Sequence, residues 1–222
     1  DTVILHPQPS CGLCLACRAG RDMQCSNAFF PGLSNNDGGM AEYLRTTARA
    51  CVKLNPDTDP ADVAALADAG ITAYHAVRKA ASGLFPGTTA VVQGAGGLGH
   101  IGIQALKAIT SARVIVVDRN PAALELAKQI GADEAVVADG SHVEAVKDLT
   151  EGKGADVVFD FVAEQGAELD GWAMTAPAGY QYIIGYGGQF VAPTLDFVAG
   201  EKSVIGNIVG TYNDLAELMV LA

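Results

Sequence analysis

Residues 89–109 read TAVVQGAGGLGHIGIQALKAI, and this stretch predicts the fold of most of the chain. A β-branched run is followed by six residues with the spacing G-x-G-x-x-G, and then by apolar residues at helical spacing. Such a unit turns tightly, lets the backbone approach a pyrophosphate and packs the helix on the strand. The helix start adds free N–H groups and a positive dipole end. We predict a dinucleotide site formed by Gly94, Gly96, Gly97, Leu98 and Gly99.

An acidic residue follows at the position that such a loop requires. Asp118 ends the next apolar run, ARVIVVD, about 20 residues after the last glycine. A carboxylate there accepts hydrogen bonds from ribose hydroxyls and repels a 2′-phosphate, which favours NAD over NADP. Arg119 leaves that choice open, because its guanidinium would attract a phosphate or stack on the adenine. The ordinary alternative is a doubly wound domain that binds no dinucleotide.

Strands and helices alternate along the chain after residue 88. Asn120 and Pro121 are typical of the N-cap and first position of a helix. Near-continuous Val/Ile strands predict a parallel sheet covered on both faces, so the predicted fold class is α/β and doubly wound. The predicted strands are TAVVQ, ARVIVVD, EAVVA, ADVVFDFV, YQYIIGYGG and SVIGNIVG, and the predicted helices are 98–109, 121–130, HVEAVKDLT, GAELDGWAM and a segment from Tyr212.

The first part of the chain has a different pattern. Short strand-like segments, TVILH, AEYLRT and ACVKLN, surround a cysteine loop and a glycine turn at NNDGG. From Ala61 the sequence becomes rich in Ala and Leu with helical spacing. His75 and His100 are interpreted as packing residues, whereas His6 and His142 are interpreted as surface or loop residues.

Four of the five cysteines, Cys11, Cys14, Cys17 and Cys25, follow the spacing C-x2-C-x2-C-x7-C. Disulfides suit small secreted domains, and the odd cysteine count and apolar core argue against them. An iron–sulfur cluster is disfavoured, because the common tight motif closes with C-x3-C-P. Four thiolates close a tetrahedron around zinc and leave no position for a substrate, so we predict a structural zinc site. Arg18 and Arg21 are candidates to offset its negative charge.

Composition narrows the functional classes. The chain has 14 basic and 25 acidic residues, a net charge of −11 and 50% hydrophobic residues. Such a charge repels phosphate backbones and anionic membranes, so we expect neither a nucleic-acid nor a membrane partner. No apolar run reaches the roughly 18 residues that a transmembrane helix needs, and no signal peptide opens the sequence. A cytoplasmic location is therefore expected.

Several longer motifs carry a family resemblance over essentially the whole chain. CGLCLACRAGRDMQC resembles the structural-zinc lobe of the zinc-containing medium-chain alcohol dehydrogenases, and DGGMAEYL is similar to a strand that follows it. LADAGITAYHAV, GAGGLGHIGIQ and VIVVDRNPAALELAKQIGAD are similar to the domain junction and the cofactor domain of that family.

The resemblance implies an NAD-dependent oxidoreductase that acts on a small alcohol or ketone, with secondary alcohols suggested, and a homo-oligomer, either a dimer or a tetramer. It implies part of a GroES-like β-barrel catalytic domain over residues 1–69, a Rossmann domain over 70–212 and a return to the first domain over 213–222. The active site would lie between the domains. Asp68 stands where the family carries one ligand of a second, catalytic zinc. Thr72, Val162, Ile184, Gly185 and Tyr186 would lie near the nicotinamide.

The sequence also departs from the family. The cysteine and the Gly-His-Glu segment that supply the other catalytic-zinc ligands are not in this sequence, and the usual proton-relay residues are missing. Ala163 stands where a glycine often ends the strand, and PAGY where two glycines are common. The sequence therefore resembles an internal piece of such an enzyme. The alternatives are a polyol or threonine dehydrogenase, a quinone reductase of the same superfamily, and a truncated, non-catalytic module that binds NAD and zinc.

Overall fold

The computed structural model describes residues 1–33 and 36–222 of the chain. It forms two compact units, Asp1–His75 with Ile208–Ala222, and Ala76–Asn207. The domain limits predicted after residues 69 and 212 refer to family domains rather than to these units, and they stay a prediction. Within the described residues, no helix has both the length and the apolar character that crossing a bilayer requires.

The first unit contains a small antiparallel sheet and mostly short helices. Strand β1 (Val3–Leu5) pairs with β2 (Cys51–Lys53). The helices are α1 (Leu15–Arg18), α2 (Pro60–Val63), the first part of α3 (Ala69–Ala80) and α9 (Tyr212–Leu221), with 3₁₀ turns at Asp22–Gln24, Ala48–Ala50 and Ala64–Ala67. Ile4, Val52, Val63, Ile71 and Leu215 form its buried core.

The second unit is a doubly wound α/β unit. Its strands are β3 (Thr89–Gln93), β4 (Arg113–Asp118), β5 (Glu134–Val137), β6 (Ala155–Asp160), β7 (Thr175–Ile183) and β8 (Ser203–Gly206). Its helices are α4 (Gly99–Ile109), α5 (Pro121–Gln129), α6 (His142–Leu149), α7 (Ala167–Met174) and α8 (Thr194–Gly200). The parallel strands lie in the order β5-β4-β3-β6-β7-β8, which is the Rossmann order. The predicted fold class is confirmed.

Local chemistry explains why these elements form where they do. Asn120 accepts a hydrogen bond from the Ala122 N–H, and Pro121 occupies the first turn of α5. Val91, Ile115 and Val158 are fully buried in the sheet, so the apolar runs predicted as parallel strands do fill its core.

Several sequence interpretations differ from the structure. Helix α8 (Thr194–Gly200) is not among the predicted helices, and β7 begins at Thr175, five residues before the predicted strand YQYIIGYGG. AEYLRT is not a strand, and Tyr43 within it is 89% exposed, so its alternating pattern faces no partner strand. His6 and His142 are buried rather than exposed. The ring nitrogens of His6 lie 2.9 Å from the Gln8 carbonyl and 2.8 Å from the Gly210 carbonyl, contacts that make burial possible. The first residue of the predicted NNDGG turn lies outside the described residues.

Candidate functional site

The strand order of the second unit changes direction between β3 and β6. In open α/β sheets a ligand crevice forms at this point, beyond the carboxyl ends of the strands. The glycine loop starts directly after β3, and the Gly94 N–H donates to the Val117 carbonyl at the end of β4 (2.8 Å). The predicted cofactor loop is therefore located at this edge.

Two positions of the loop require glycine because neighbouring protein atoms leave no room for a Cβ. Gly94 has φ +89°, and a Cβ on it would lie 2.6 Å from Cγ2 of Val162. A Cβ on Gly99 would lie 1.8 Å from the Gly94 carbonyl oxygen. A Cβ on Gly96 or Gly97 would meet no atom within 4 Å, so the surroundings of these two residues leave space for another molecule.

Asp118, at the end of β4, accepts hydrogen bonds that hold the glycine loop. One carboxylate oxygen accepts a hydrogen bond from the Ala95 N–H (2.6 Å) and the other from the Asn120 N–H (2.7 Å). Each oxygen keeps a second lone pair for a ligand hydroxyl. Arg119 is exposed and donates to the Gln165 side chain (3.3 Å).

Two adjoining cavities follow this edge of the sheet. A cavity of about 330 Å³ is lined by Asp118, Arg119 and His142 among others, and one of about 250 Å³ is lined by Gly94, Gly96, Gly97, Leu98, Gly99, Asp118, Phe161 and Val162. The structure thus brings together all the predicted loop residues, Asp118 and Val162. Larger cavities at the opposite edge of the sheet contain none of the predicted site residues.

The segments after β6 and β7 carry the other predicted pocket residues of this unit. Ile184 is 8% exposed and Tyr186 is 91% exposed. A Cβ on Gly185 would lie 2.4 Å from the Val162 carbonyl oxygen, so the two segments pass each other closely. Both the Ile184 N–H (2.9 Å) and the Gly185 N–H (3.0 Å) donate to the Asp160 carbonyl.

Sequence reasoning missed Asp160 as a residue of this edge. It is fully buried at the end of β6, and its carboxylate accepts hydrogen bonds from the Val162 and Ala163 N–H groups. The only sequence signal was a charged residue inside an apolar strand, FDF, where burial demands a specific reason.

Asp68 and Thr72 lie in the first unit at the start of α3. The Asp68 side chain is exposed, and the Asp68 carbonyl accepts hydrogen bonds from the Thr72 hydroxyl (2.6 Å) and the Thr72 N–H (3.1 Å). Within residues 1–33 and 36–222, the sole group of three or more His, Cys, Asp or Glu side chains suited to a metal is elsewhere. These residues alone therefore do not form a catalytic zinc site around Asp68.

The four cysteines of the first unit do form such a group. Their Sγ atoms all lie within 4.8 Å of one another, and no disulfide joins them. The Cys14–Cys17 and Cys11–Cys17 sulfur distances are 3.5 and 4.0 Å. A zinc tetrahedron with Zn–S bonds of about 2.3 Å requires sulfur separations of about 3.8 Å. The group therefore fits a zinc ion, and disulfide pairing does not describe it.

Backbone N–H groups lower the pKa of two of these thiols, which favours the thiolate form that binds a metal. N–H groups of Leu13 and Cys14 lower the pKa of Cys11 to about 6, and the Cys17 N–H is the main cause of a lowered pKa at Cys14. Burial raises the pKa of Cys17 to about 11. Metals bind thiolates, so zinc binding displaces the remaining thiol protons.

The arginine that packs on the cysteine loop is not one of the two predicted. Arg18 and Arg21 are exposed, whereas the Arg49 guanidinium lies over Gly12 and forms an ion pair with the buried Asp22 (3.3 Å). Asp22 also accepts a hydrogen bond from the Tyr212 N–H (3.3 Å), which connects the loop to the start of α9. Because Arg49 is distant in sequence from the cysteines, local spacing gave no signal for it.

Comparison with known families matches both parts of the chain. Residues 97–222 match the family described as zinc-binding dehydrogenase, and residues 1–56 match the alcohol dehydrogenase GroES-like domain.

Individual relatives agree with these matches. The chain is 34% identical over 227 residues to an NAD-dependent alcohol dehydrogenase of Sulfurisphaera tokodaii, covering 100% of this chain and 64% of that protein. It is 31% identical over 228 residues to a D-arabinose 1-dehydrogenase (NADP(+)) of Saccharolobus solfataricus, with the same coverage. The crystal structure of an Aeropyrum pernix alcohol dehydrogenase aligns with a TM-score of 0.95 at 46% identity, covering 100% of this chain and 65% of that one. The chain spans 64% of the length of these two curated relatives.

Proposed function

Because the chain belongs to the zinc-containing medium-chain alcohol dehydrogenases, we propose that the protein is an oxidoreductase that transfers a hydride between a small alcohol and NAD. In the oxidising direction the alcohol gives a hydride to NAD⁺ and a proton to solvent, and an aldehyde or ketone forms. The observation that carries the proposal is the glycine loop, backed by Asp118, at the point where the strand order reverses. Bound NAD supplies the hydride acceptor.

The glycine-loop edge is proposed to hold the dinucleotide in an extended form. The pyrophosphate would lie next to Gly96 and Gly97, where the backbone is open, at the start of α4. Unpaired N–H groups and the helix dipole favour an anion there. Asp118 would accept hydrogen bonds from the ribose hydroxyls on its remaining lone pairs. Its negative charge favours NAD, whereas Arg119 beside it would lessen the discrimination against NADP.

The nicotinamide end of the site is proposed to lie at the carboxyl ends of β6 and β7. Val162 lines the cavity there, and Gly185 and the buried Ile184 follow β7 next to it. Tyr186 and Thr72 are proposed as further residues of this pocket on the family resemblance alone. Exclusion of water by such residues strengthens the electrostatic interactions that orient a bound ring.

Two zinc sites are proposed with different roles. Cys11, Cys14, Cys17 and Cys25 would hold a structural zinc with no open position, so its effect is to fix the loop rather than to act on substrate. Asp68 is proposed as one ligand of a catalytic zinc. The remaining ligands of that metal are not assigned, and no step of the reaction is derived through it.

A second substrate class is favoured by one comparison. The relative in Saccharolobus solfataricus is a D-arabinose 1-dehydrogenase, so a sugar or polyol is an alternative to a simple secondary alcohol. A threonine dehydrogenase, a quinone reductase of the same superfamily, and a module that binds NAD and zinc without catalysis are the remaining alternatives. A homo-oligomer and a cytoplasmic location stay predictions.

The test is NADH formation, followed by absorbance, with NAD⁺ and a matched panel of primary alcohols, secondary alcohols, polyols, sugars and threonine. Turnover of one class identifies the substrate class. NAD⁺ binding without turnover of any class would support the non-catalytic module, and absence of both binding and turnover would refute the proposal.

A further inference from the structure

A layer of polar side chains lies buried between the sheet of the second unit and α7. Gln93 on β3 is paired with Asp160 on β6. Gln181 on β7 is paired with Val158, which precedes Asp160 on β6 by two residues. Side chains two residues apart share a face of a strand, so these three lie on one face. Glu168 belongs to α7, which covers them. The exposed fractions of the four polar side chains are 4%, 0%, 0% and 7% for Gln93, Asp160, Gln181 and Glu168.

This layer contains more acceptors than donors. The Gln93 and Gln181 amide groups donate to the Ala167 carbonyl (2.7 Å) and the Glu168 carbonyl (2.8 Å), which fixes the orientation of both amides. Four buried oxygens then have no hydrogen-bond partner among the described residues: Gln93 Oε1, Gln181 Oε1, Asp160 Oδ2 and Glu168 Oε2. Unpartnered buried acceptors are costly, so a protonated carboxyl group within the layer would be stabilised by donating to one of them.

Asp160 connects the layer to the cofactor edge. Its Oδ1 accepts hydrogen bonds from the Val162 N–H (3.0 Å) and the Ala163 N–H (2.8 Å). Ala163 has φ +46°, a left-handed conformation that a non-glycine residue adopts only when its surroundings hold it there. The same loop packs on Gly94, so displacement of Val162 would disturb the glycine loop.

The charges around Asp160 are of one sign. The negative charges of Glu168 and Asp170 on α7 act on Asp160, and His142 on α6 lies 3.1 Å from the Asp170 carboxylate. Burial is the main cause of a raised pKa at Asp160, and the negative charges of Glu168 and Asp170 raise that pKa further. The Ala163 and Val162 N–H groups act in the opposite direction, but the net change in the pKa of Asp160 is upward, toward the protonated form.

We propose that Asp160 is a positioning residue of the cofactor edge and that it acts as a neutral acid. Its Oδ2–H donates to one of the buried acceptors of the layer, while its Oδ1 holds Val162 and Ala163 in the conformation that lines the site. The link to cofactor affinity rests on the proposed NAD binding, whereas the protonation state and its effect on stability do not.

The test compares Asp160→Asn with Asp160→Ala in the full chain. An Asn side chain places an NH₂ group where the acid carries its proton and keeps the Oδ1 acceptor, whereas Ala removes both. Asp156→Asn is the matched control, because Asp156 lies on the same strand, is exposed and accepts a hydrogen bond from the Thr89 N–H away from the cofactor edge.

Infrared difference spectra of wild type minus Asp160→Asn measure the protonation state directly near neutral pH. We expect the C=O stretch of a protonated carboxylic acid, and the bands of an ionised carboxylate would overturn the proposal. NAD⁺ titration should give a Kd for Asp160→Asn within about twofold of wild type and a Kd for Asp160→Ala weakened about tenfold or more, which corresponds to about 1.4 kcal/mol.

Equal weakening in the Asn and Ala variants would also overturn the proposal, because it would mean that the negative charge is required. Urea unfolding gives a readout that does not depend on NAD: the Asn variant should match wild type and the Ala variant should unfold at lower urea. If even wild type fails to bind NAD⁺, the proposed function fails, while the infrared and unfolding results still decide the role of Asp160.

Discussion

Gly99→Ala should disrupt the glycine loop, whereas Gly97→Ala should leave it folded. A Cβ at position 99 would lie 1.8 Å from the Gly94 carbonyl oxygen and 2.8 Å from its carbonyl carbon, and both are backbone atoms that no side-chain rotation can move. A Cβ at position 97 would meet nothing within 4 Å. The two variants therefore add the same methyl group to one loop in opposite environments.

The size of the effect follows from the contacts that must give way. Moving Gly94 strains its hydrogen bond to the Val117 carbonyl and the Ala95 hydrogen bond to the Asp118 carboxylate. A neutral hydrogen bond contributes about 1 kcal/mol and one to a charged group about 1.5–3 kcal/mol, while Ala gains at most about 1 kcal/mol in helix propensity. We expect Gly99→Ala to lower the free energy of unfolding by about 2 kcal/mol and Gly97→Ala to change it by less than about 0.5 kcal/mol.

Urea unfolding followed by tryptophan fluorescence measures this difference. The single tryptophan, Trp172, is buried in the same unit as the loop, so it reports on the affected part of the chain. NAD⁺ titration supplies the second readout, since Gly97→Ala should weaken binding about tenfold by filling the space proposed for the pyrophosphate. Equal stability of the two variants would refute the close-approach reasoning, and unchanged NAD⁺ affinity in Gly97→Ala would refute the placement of the pyrophosphate.

Two further predictions concern the first unit. Cys17→Ser should reduce bound structural zinc, measured by elemental analysis, and lower the thermal midpoint, because a hydroxyl is a poor ligand beside three thiolates; retention of the zinc would contradict the four-cysteine site. Asp214→Ala should lower the free energy of unfolding by about 1 kcal/mol, because it removes the capping box with Thr211 at the start of α9. Urea unfolding measures this change, and an unchanged midpoint would contradict that role. Burial acts to raise the pKa of Asp214, but hydrogen bonds from His75 and Thr211 outweigh it, so the folded-state pKa is lowered. The ionised Asp214 carboxylate therefore stabilises the fold above its unfolded-state pKa of about 3.9, and this stabilisation should be lost as pH falls through the lower folded-state pKa. The free energy of unfolding of the Ala variant should accordingly fall less in acid than that of wild type.

The second unit was predictable because its signals are local. Apart from β7 (TAPAGYQYI), the strands contain short Val/Ile runs, and apart from α8 the helices are evident from the sequence. TAVVQ and HVEAVKDLT could therefore be assigned without knowledge of their partners. The order of the parallel strands follows from the glycine loop and the handedness rules for such units.

Residues whose role depends on distant partners were not predictable. AEYLRT alternates like a strand, yet pairing depends on another segment that local pattern does not reveal. Arg49 reaches the cysteine loop from far along the chain, and His6 is buried because the Gly210 carbonyl, more than 200 residues later, lies beside it.

Polar residues within apolar strands had no assigned role in the sequence analysis. Gln93, Asp160 and Gln181 interrupt apolar strands, yet all three are buried. Carbonyl groups at the start of α7 accept from the two amide groups, and neighbouring N–H groups donate to Oδ1 of Asp160. The sequence motif predicts which loop binds a cofactor, whereas the buried layer next to that loop is visible only in three dimensions.

The most direct test of the account is a calorimetric titration of NAD⁺ and NADP⁺ into wild type and Asp118→Asn. We predict one NAD⁺ site per chain, tighter binding of NAD⁺ than of NADP⁺, and loss of most of that preference in the variant. The variant lacks the carboxylate that accepts a hydrogen bond from Ala95 and is proposed to bind the ribose. Failure of wild type to bind either dinucleotide, or an undiminished preference for NAD⁺ in Asp118→Asn, would contradict the account.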